Sequence, residues 1–103
     1  MISPDLARHQ AELERLCRTY HVRRLELFGS AATGQDRPGE SDLDFLVEFE
    51  PLPFGTSFNT YLDFRTALED LFNRPVDLVI DSAIKNPYFR RSVDESKVLI
   101  YAA

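Results

Sequence analysis

A chain of 103 residues, 44% hydrophobic and 28% charged, has the composition of an ordinary folded protein and the size of one domain over residues 1–103, leaving no room for a separate substrate domain. The net charge of −5 and the presence of only two short basic pairs, Arg23-Arg24 and Arg90-Arg91, argue against stable binding to a long nucleic acid, which needs a basic stripe. No apolar run is long enough to span a bilayer and the start, Met-Ile-Ser-Pro-Asp, lacks the pattern of a leader, so the expectation is a cytoplasmic protein with no membrane association.

Ser3-Pro4-Asp5 reads as a helix start, with a hydroxyl cap, a proline at the first helical position and an acid at the positive end of the dipole. Leu6, Leu13, Leu16, Cys17 and Tyr20 then recur at helical spacing and predict one amphipathic helix over residues 4–20. Cys17, the single cysteine, falls on its apolar side and reads as a core thiol. His9 and His21 have no partner spacing and are expected at the surface. Residues 22–28 form a predicted strand. Gly29-Ser30-Ala31-Ala32-Thr33 reads as a tight turn into a short helix that Gly34 ends, and residues 34–41, with Pro38 and Gly39, as a polar loop.

A second strand is predicted over residues 42–50, stopped by Pro51 and Pro53 ahead of a loop over residues 51–57. Phe58, Tyr61, Leu62, Leu68, Leu71 and Phe72 make an apolar stripe that predicts a helix over residues 58–72, ended by Asn73-Arg74-Pro75. A third strand follows over residues 76–80, with Asp77 and Val79 facing away from Val76, Leu78 and Ile80. Asn86-Pro87 starts a last helix over residues 87–95, and residues 98–101 close the chain as a short strand or packed tail. The order predicts a small α/β layer with helices covering one sheet, its strand directions left open.

Two carboxylates at alternate positions of a strand, Asp42 and Asp44, project to the same side with Cα atoms roughly 6.6 Å apart. Both can reach one divalent cation or a metal pair about 3.5–4 Å apart. Gly29-Ser30, separated from Asp42 by eleven residues, puts an unhindered backbone and a hydroxyl beside the free amides of the following helix, a phosphate-binding arrangement. Each feature alone is common at strand ends and turns. Together with a third acid, Asp77, at the start of another strand, they fit one explanation: two Mg²⁺ ions, which keep waters and substrate phosphates among their ligands, so that three carboxylates suffice. Asp42 and Asp44 would hold one ion and Asp44 with Asp77 the other, while Ser30 and the amides after Gly29 bind the β- and γ-phosphates.

The run Leu27-Phe28-Gly29-Ser30, then Ser41-Asp42-Leu43-Asp44-Phe45-Leu46-Val47, then Pro75-Val76-Asp77-Leu78-Val79 and Asn86-Pro87-Tyr88-Phe89 resembles the minimal nucleotidyltransferase domains of the polymerase-β-like superfamily, over residues 22–101. That resemblance implies a small mixed sheet flanked by helices, two Mg²⁺ ions and ATP as the usual donor. It also implies an antitoxin paired with a HEPN-domain ribonuclease toxin in a hetero-oligomer, silencing the toxin by moving AMP from ATP to one of its tyrosines. By motif position, Gly29 and Ser30 would be nucleotide-binding, Asp42, Asp44 and Asp77 both catalytic and metal-binding. The loop from Ser30 to Asp42 is one residue longer than the commonest family spacing, an insertion that Gly34, Pro38 and Gly39 can absorb.

A competing reading is a non-catalytic antitoxin that masks the toxin by complex formation; the three acids gathered near a phosphate cradle favour the enzyme. Transfer to RNA or to an antibiotic is disfavoured by the acidic charge and the missing acceptor domain, and a sugar-nucleotide transferase by length. Among neighbouring residues, Arg37 reads as a solvated loop arginine ahead of a phosphate contact and Glu48 as structural, while Lys85, Tyr88, Arg90 and Arg91 are open to nucleotide or partner, with core packing the favoured reading for Tyr88.

Overall fold

The computed structural model describes residues 4–34, 42–51 and 57–103. The expected cap Ser3, the loop residues Arg37, Pro38, Gly39 and Ser41, and Pro53 lie outside the described residues. The predicted first helix is two: α1 (Pro4–Arg8) and α2 (Gln10–Thr19). The break falls at His9, whose backbone leaves the helical region at φ −109°, ψ 17°. There its ring stands edge-on to Phe72 at 5.5 Å, so His9 is half-buried, not the surface residue expected from its spacing. His21 is exposed, at φ 61° in the turn that follows α2.

The remaining elements are β1 (Val22–Phe28), α3 (Ser30–Thr33), β2 (Leu43–Phe49), α4 (Ser57–Phe72), β3 (Val76–Ile80), a 3₁₀ turn at Asp81–Ala83, α5 (Pro87–Ser96) and β4 (Val98–Ala102). The sheet order is β3-β2-β1-β4. β1 runs antiparallel to β2 and β4, and β2 parallel to β3; α4 supplies the long crossover that a parallel pair requires. The fold is therefore the mixed four-stranded sheet with flanking helices that the resemblance implied.

Period-two alternation sends Leu25 and Leu27 of β1, Leu43, Phe45 and Val47 of β2, and Val76 and Leu78 of β3 to one face. They pack there against Leu6, Leu13, Cys17, Phe64, Leu68 and Phe72. Burial, and secondarily the charge of Glu14, pushes the Cys17 thiol up to about 12, so it serves as a small neutral packer. The buried row of α4 differs from the expected stripe: Phe64, Leu68 and Phe72 step at four-residue intervals into the core, while Leu62 lies off that row and is exposed. Phe64 is wholly buried, with Tyr20 and Phe49 rings at 5.8 and 6.0 Å. Phe64→Ala should cost about 3–5 kcal/mol, read as a lower urea midpoint with an unchanged slope.

The polar residues of α4 have a second task. Tyr61 donates its hydroxyl to the Leu78 carbonyl, Arg65 donates Nε to the Val76 carbonyl at 3.3 Å, and Glu69 accepts the Val76 N–H at 3.1 Å. These three, again four residues apart, satisfy backbone groups along the outer strand β3, which would otherwise be an open sheet edge. The strand that carries Asp77 is thereby pinned. On the opposite face of the sheet α5 buries a smaller cluster, Phe28, Leu46 and Val93.

Candidate active site

Phe28 is the cross-strand partner of Asp44, and Asp44 is the register partner of Asp77. Partners in a ladder project to the same side, so these three side chains share the face that carries α5. Asp42 lies two residues before Asp44, exposed, just ahead of β2. The Leu43 N–H donates to the Pro75 carbonyl at 3.1 Å, which holds the starts of β2 and β3 together. Asp42 and Asp77 thus leave from the same end of the sheet as Asp44.

The half-buried Asp44 carboxyl is pushed up to about 6, by burial first and then by the charges of Asp77 and Asp42. Three carboxylates crowd one another here, each raising the cost of charging its neighbours. Gly29 completes the corner. Its backbone, at φ 75° and ψ −154°, is in a region essentially restricted to glycine, and a Cβ there would run into the Asp44 carboxylate, 3.3 Å from Cγ. Its carbonyl accepts from the Ala32 N–H at 3.1 Å and the Thr33 hydroxyl at 3.3 Å. Its own N–H donates to Ser96 Oγ at 3.1 Å. Ser30 opens α3, so the N–H groups of Ser30 and Ala31 have no intrahelical acceptor; Gly34, at φ 84°, ends that helix as predicted.

The five residues singled out in the sequence, Gly29, Ser30, Asp42, Asp44 and Asp77, therefore lie at one end of one sheet face. Among the described residues, no group of three or more His, Cys, Asp or Glu side chains is drawn together closely enough to hold a metal ion by itself. The donor set is all oxygen and partly open to solvent, which suits Mg²⁺, an ion that takes one or two carboxylates and completes its octahedron with water and phosphate.

Several neighbours differ from expectation or were not foreseen. Tyr88 is not a core packer: it is 84% exposed on the first turn of α5, because Phe89 and Val93 supply the inward contacts, Phe89 meeting Phe28 edge-on at 6.1 Å. Arg90 is engaged by Asp81, with Nη1 on the carboxylate and Nη2 on the carbonyl, each at 2.7 Å. Arg91 pairs with Glu95 and Glu48 with Arg23 on the surface. Glu26 is buried on the α5 face, with Arg24 at 3.3 Å and Lys97 at 3.9 Å. It lines a groove of about 400 Å³ with Arg24, Glu48, Asp81, Arg90 and Lys97; these charges already pair within the chain, and the groove excludes the three aspartates.

A Gly-Ser turn set against acids on an open sheet face is an arrangement for handling phosphate esters and the cations that accompany them. The chain belongs to the nucleotidyltransferase domain family, whose profile matches residues 11–100. It is 35% identical over 85 residues to the protein adenylyltransferase MntA of Thermococcus cleftensis, covering 82% of this chain and 79% of that one. It is 37% identical over 81 residues, 79% of each chain, to a Methanocaldococcus jannaschii protein provisionally named a protein adenylyltransferase. Among solved structures, one provisionally named a minimal nucleotidyltransferase superimposes with a TM-score of 0.75 at 31% identity, over 95% of both chains. The fold is also shared, at a TM-score of 0.63 and 15% identity, with a structure of a tri-AMPylated Shewanella oneidensis HEPN toxin in complex with its MNT antitoxin, over 94% of this chain and 72% of that one.

Proposed function

We propose that this chain is a Mg²⁺-dependent protein adenylyltransferase that acts as an antitoxin, moving AMP from ATP to a tyrosine of a cognate HEPN-domain ribonuclease toxin. The observation that carries the reading is the gathering of Asp42, Asp44 and Asp77 at one sheet end against Gly29. In this reading Asp42, Asp44 and Asp77 are the residues that would hold the Mg²⁺ ions, Asp42 with Asp44 and Asp44 with Asp77. Mg²⁺ supplies charge neutralisation on the phosphates and a lowered pKa for the attacking hydroxyl. The Ser30 hydroxyl and the first amides of α3 take the β- and γ-phosphates. Asp77 is available either as a ligand or to accept the proton of the incoming phenol. The phenol oxygen bonds to the α-phosphorus, the bond to the bridging oxygen breaks and pyrophosphate leaves. The identity to MntA and the fold shared with HEPN–MNT complexes support the choice of acceptor and partner.

Ser30→Ala removes one hydrogen bond to a charged group, worth about 1.5–3 kcal/mol, and should weaken ATP use less than Asp42→Asn or Asp44→Asn. Steady-state kinetics in ATP check the ranking. Titrating the HEPN toxin's ribonuclease activity with wild-type and Asp44→Asn protein tests the proposal against masking. Silencing at substoichiometric amounts that the substitution abolishes supports transfer. One-to-one silencing by both proteins would replace it with a masking antitoxin.

A further inference from the structure

We infer that Ser96 is a positioning residue for the Gly29-Ser30 turn, holding the Gly29 peptide so that the turn presents the Ser30 hydroxyl and the opening amides of α3 to a nucleotide's phosphates. The inference rests on the proposed reading of that turn as the phosphate-binding part of the site. Its basis is the hydrogen bond from the Gly29 N–H to Ser96 Oγ, 3.1 Å long and 67 residues apart in the chain. The Ser96 hydroxyl donates to the Ser92 carbonyl at 3.3 Å, which aims an oxygen lone pair back at Gly29.

Ser96 is itself held firmly from both sides. Upstream, Val93 packs on Phe28 and Leu46, and Asn86 caps α5 by accepting the N–H groups of Tyr88 and Phe89 at 2.8 and 3.2 Å. Downstream, Lys97 pairs with Asp94 at 3.1 Å, and β4 begins at Val98 alongside Leu27. None of these anchors depends on the Ser96 hydroxyl. Deleting it should therefore leave α5 in place and free only the Gly29 amide.

Gly29 needs such a restraint. Without a Cβ it has the widest backbone freedom of any residue, and here it sits in a rare conformation against the Asp44 carboxylate. Its carbonyl is fixed from within α3 by Ala32 and Thr33, whereas among the described residues its N–H is held from α5. Ser96 thus supplies the second point that sets the orientation of the turn. With the Gly29 amide occupied by a neutral hydroxyl, the amides left to face phosphate are those of Ser30 and Ala31.

The test uses the full chain with Mg²⁺ and AMP-PNP as the probe, with no acceptor present, comparing Ser96→Ala, Ser96→Thr and Ser96→Val. Calorimetry should show affinity falling about fivefold in Ser96→Ala, the worth of one neutral hydrogen bond, and a similar loss in Ser96→Val. Ser96→Thr, which keeps the hydroxyl, should restore it. Hydrogen exchange at the Gly29 amide should quicken in the first two and not in Ser96→Thr, while the Val93 amide stays protected in all three. With toxin present, KM for ATP should rise with kcat within about twofold. Wild-type affinity in Ser96→Ala, or equal behaviour of the threonine and valine variants, would overturn the inference while leaving the nucleotide reading standing. Failure of the wild-type chain to bind AMP-PNP would overturn both.

Discussion

Asp44→Asn should abolish nucleotidyl transfer and at the same time raise the melting temperature of the metal-free protein at neutral pH. Asp44 is the acid on which the site converges: it is the register partner of Asp77, the strand neighbour of Asp42 and the group against which Gly29 closes. Its loss should lower the rate by at least the roughly 10²–10³-fold that deleting one preorganised charge-stabilising group costs. The gain in stability has a separate cause. The folded chain holds the Asp44 carboxyl at about 6 against an ordinary 3.8, so folding binds this proton more tightly than the unfolded chain does. At low pH both states are protonated and the site costs nothing. The cost develops as pH rises from about 4 through 6 and is fully present at pH 7. Asparagine carries no charge and removes it. Because Asp44 is half-exposed, solvent screens much of the repulsion; relief of the order of 1 kcal/mol corresponds to about 4–8 °C in a chain of this size. Differential scanning fluorimetry with EDTA should show the two melting temperatures converging near pH 4 and separating at pH 7. A variant that melts well below wild type at pH 7 without metal would contradict the assignment of Asp44 as a crowded carboxylate.

Gly29→Ala should be the most damaging single methyl group in the site. The backbone conformation at φ 75°, ψ −154° costs a non-glycine residue of the order of 1–3 kcal/mol, and the new Cβ meets the Asp44 carboxylate as well. The turn must shift to escape, carrying the Ser30 amide and hydroxyl away from the acids, so transfer should be lost along with several degrees of melting temperature. Part of the damage should be recoverable. In Gly29→Ala combined with Asp44→Ala the colliding carboxylate is gone, and the double variant should be more stable than the sum of the two single changes predicts by roughly 0.5 kcal/mol or more. Strict additivity in chemical denaturation would mean that the collision does not contribute and that backbone strain is the whole effect.

What the sequence revealed and what it hid divide along physical lines. β1, β2 and β3 are readable because a half-buried strand alternates, and Asp42, Asp44 and Asp77 keep the polar phase of that alternation at the strand starts, so that all three leave the same face. Gly29 and Gly34 were readable because both turns demand positive φ. The break at His9 was hidden because the apolar spacing continues across it, and the edge-on contact with Phe72 that accompanies it is tertiary. Phe64 and Leu62 both fit a helical stripe, and only the sheet decides that Phe64 is the one that meets it. Tyr88 was misplaced for a related reason: a proline-led helix start followed by two aromatics does not say which of them turns inward. The Ser96 contact carries no local signal at all, because it joins two segments that only the completed sheet and α5 bring together.

The most direct test of the central claim is the intact mass of the proposed HEPN-domain partner after incubation with this chain, ATP and MgCl₂, with the Asp44→Asn protein in parallel. The account predicts a gain of one or more AMP units on the partner with the wild-type chain and none with the substituted one. An unmodified partner in a stable complex with the wild-type chain, its ribonuclease activity silenced, would contradict it.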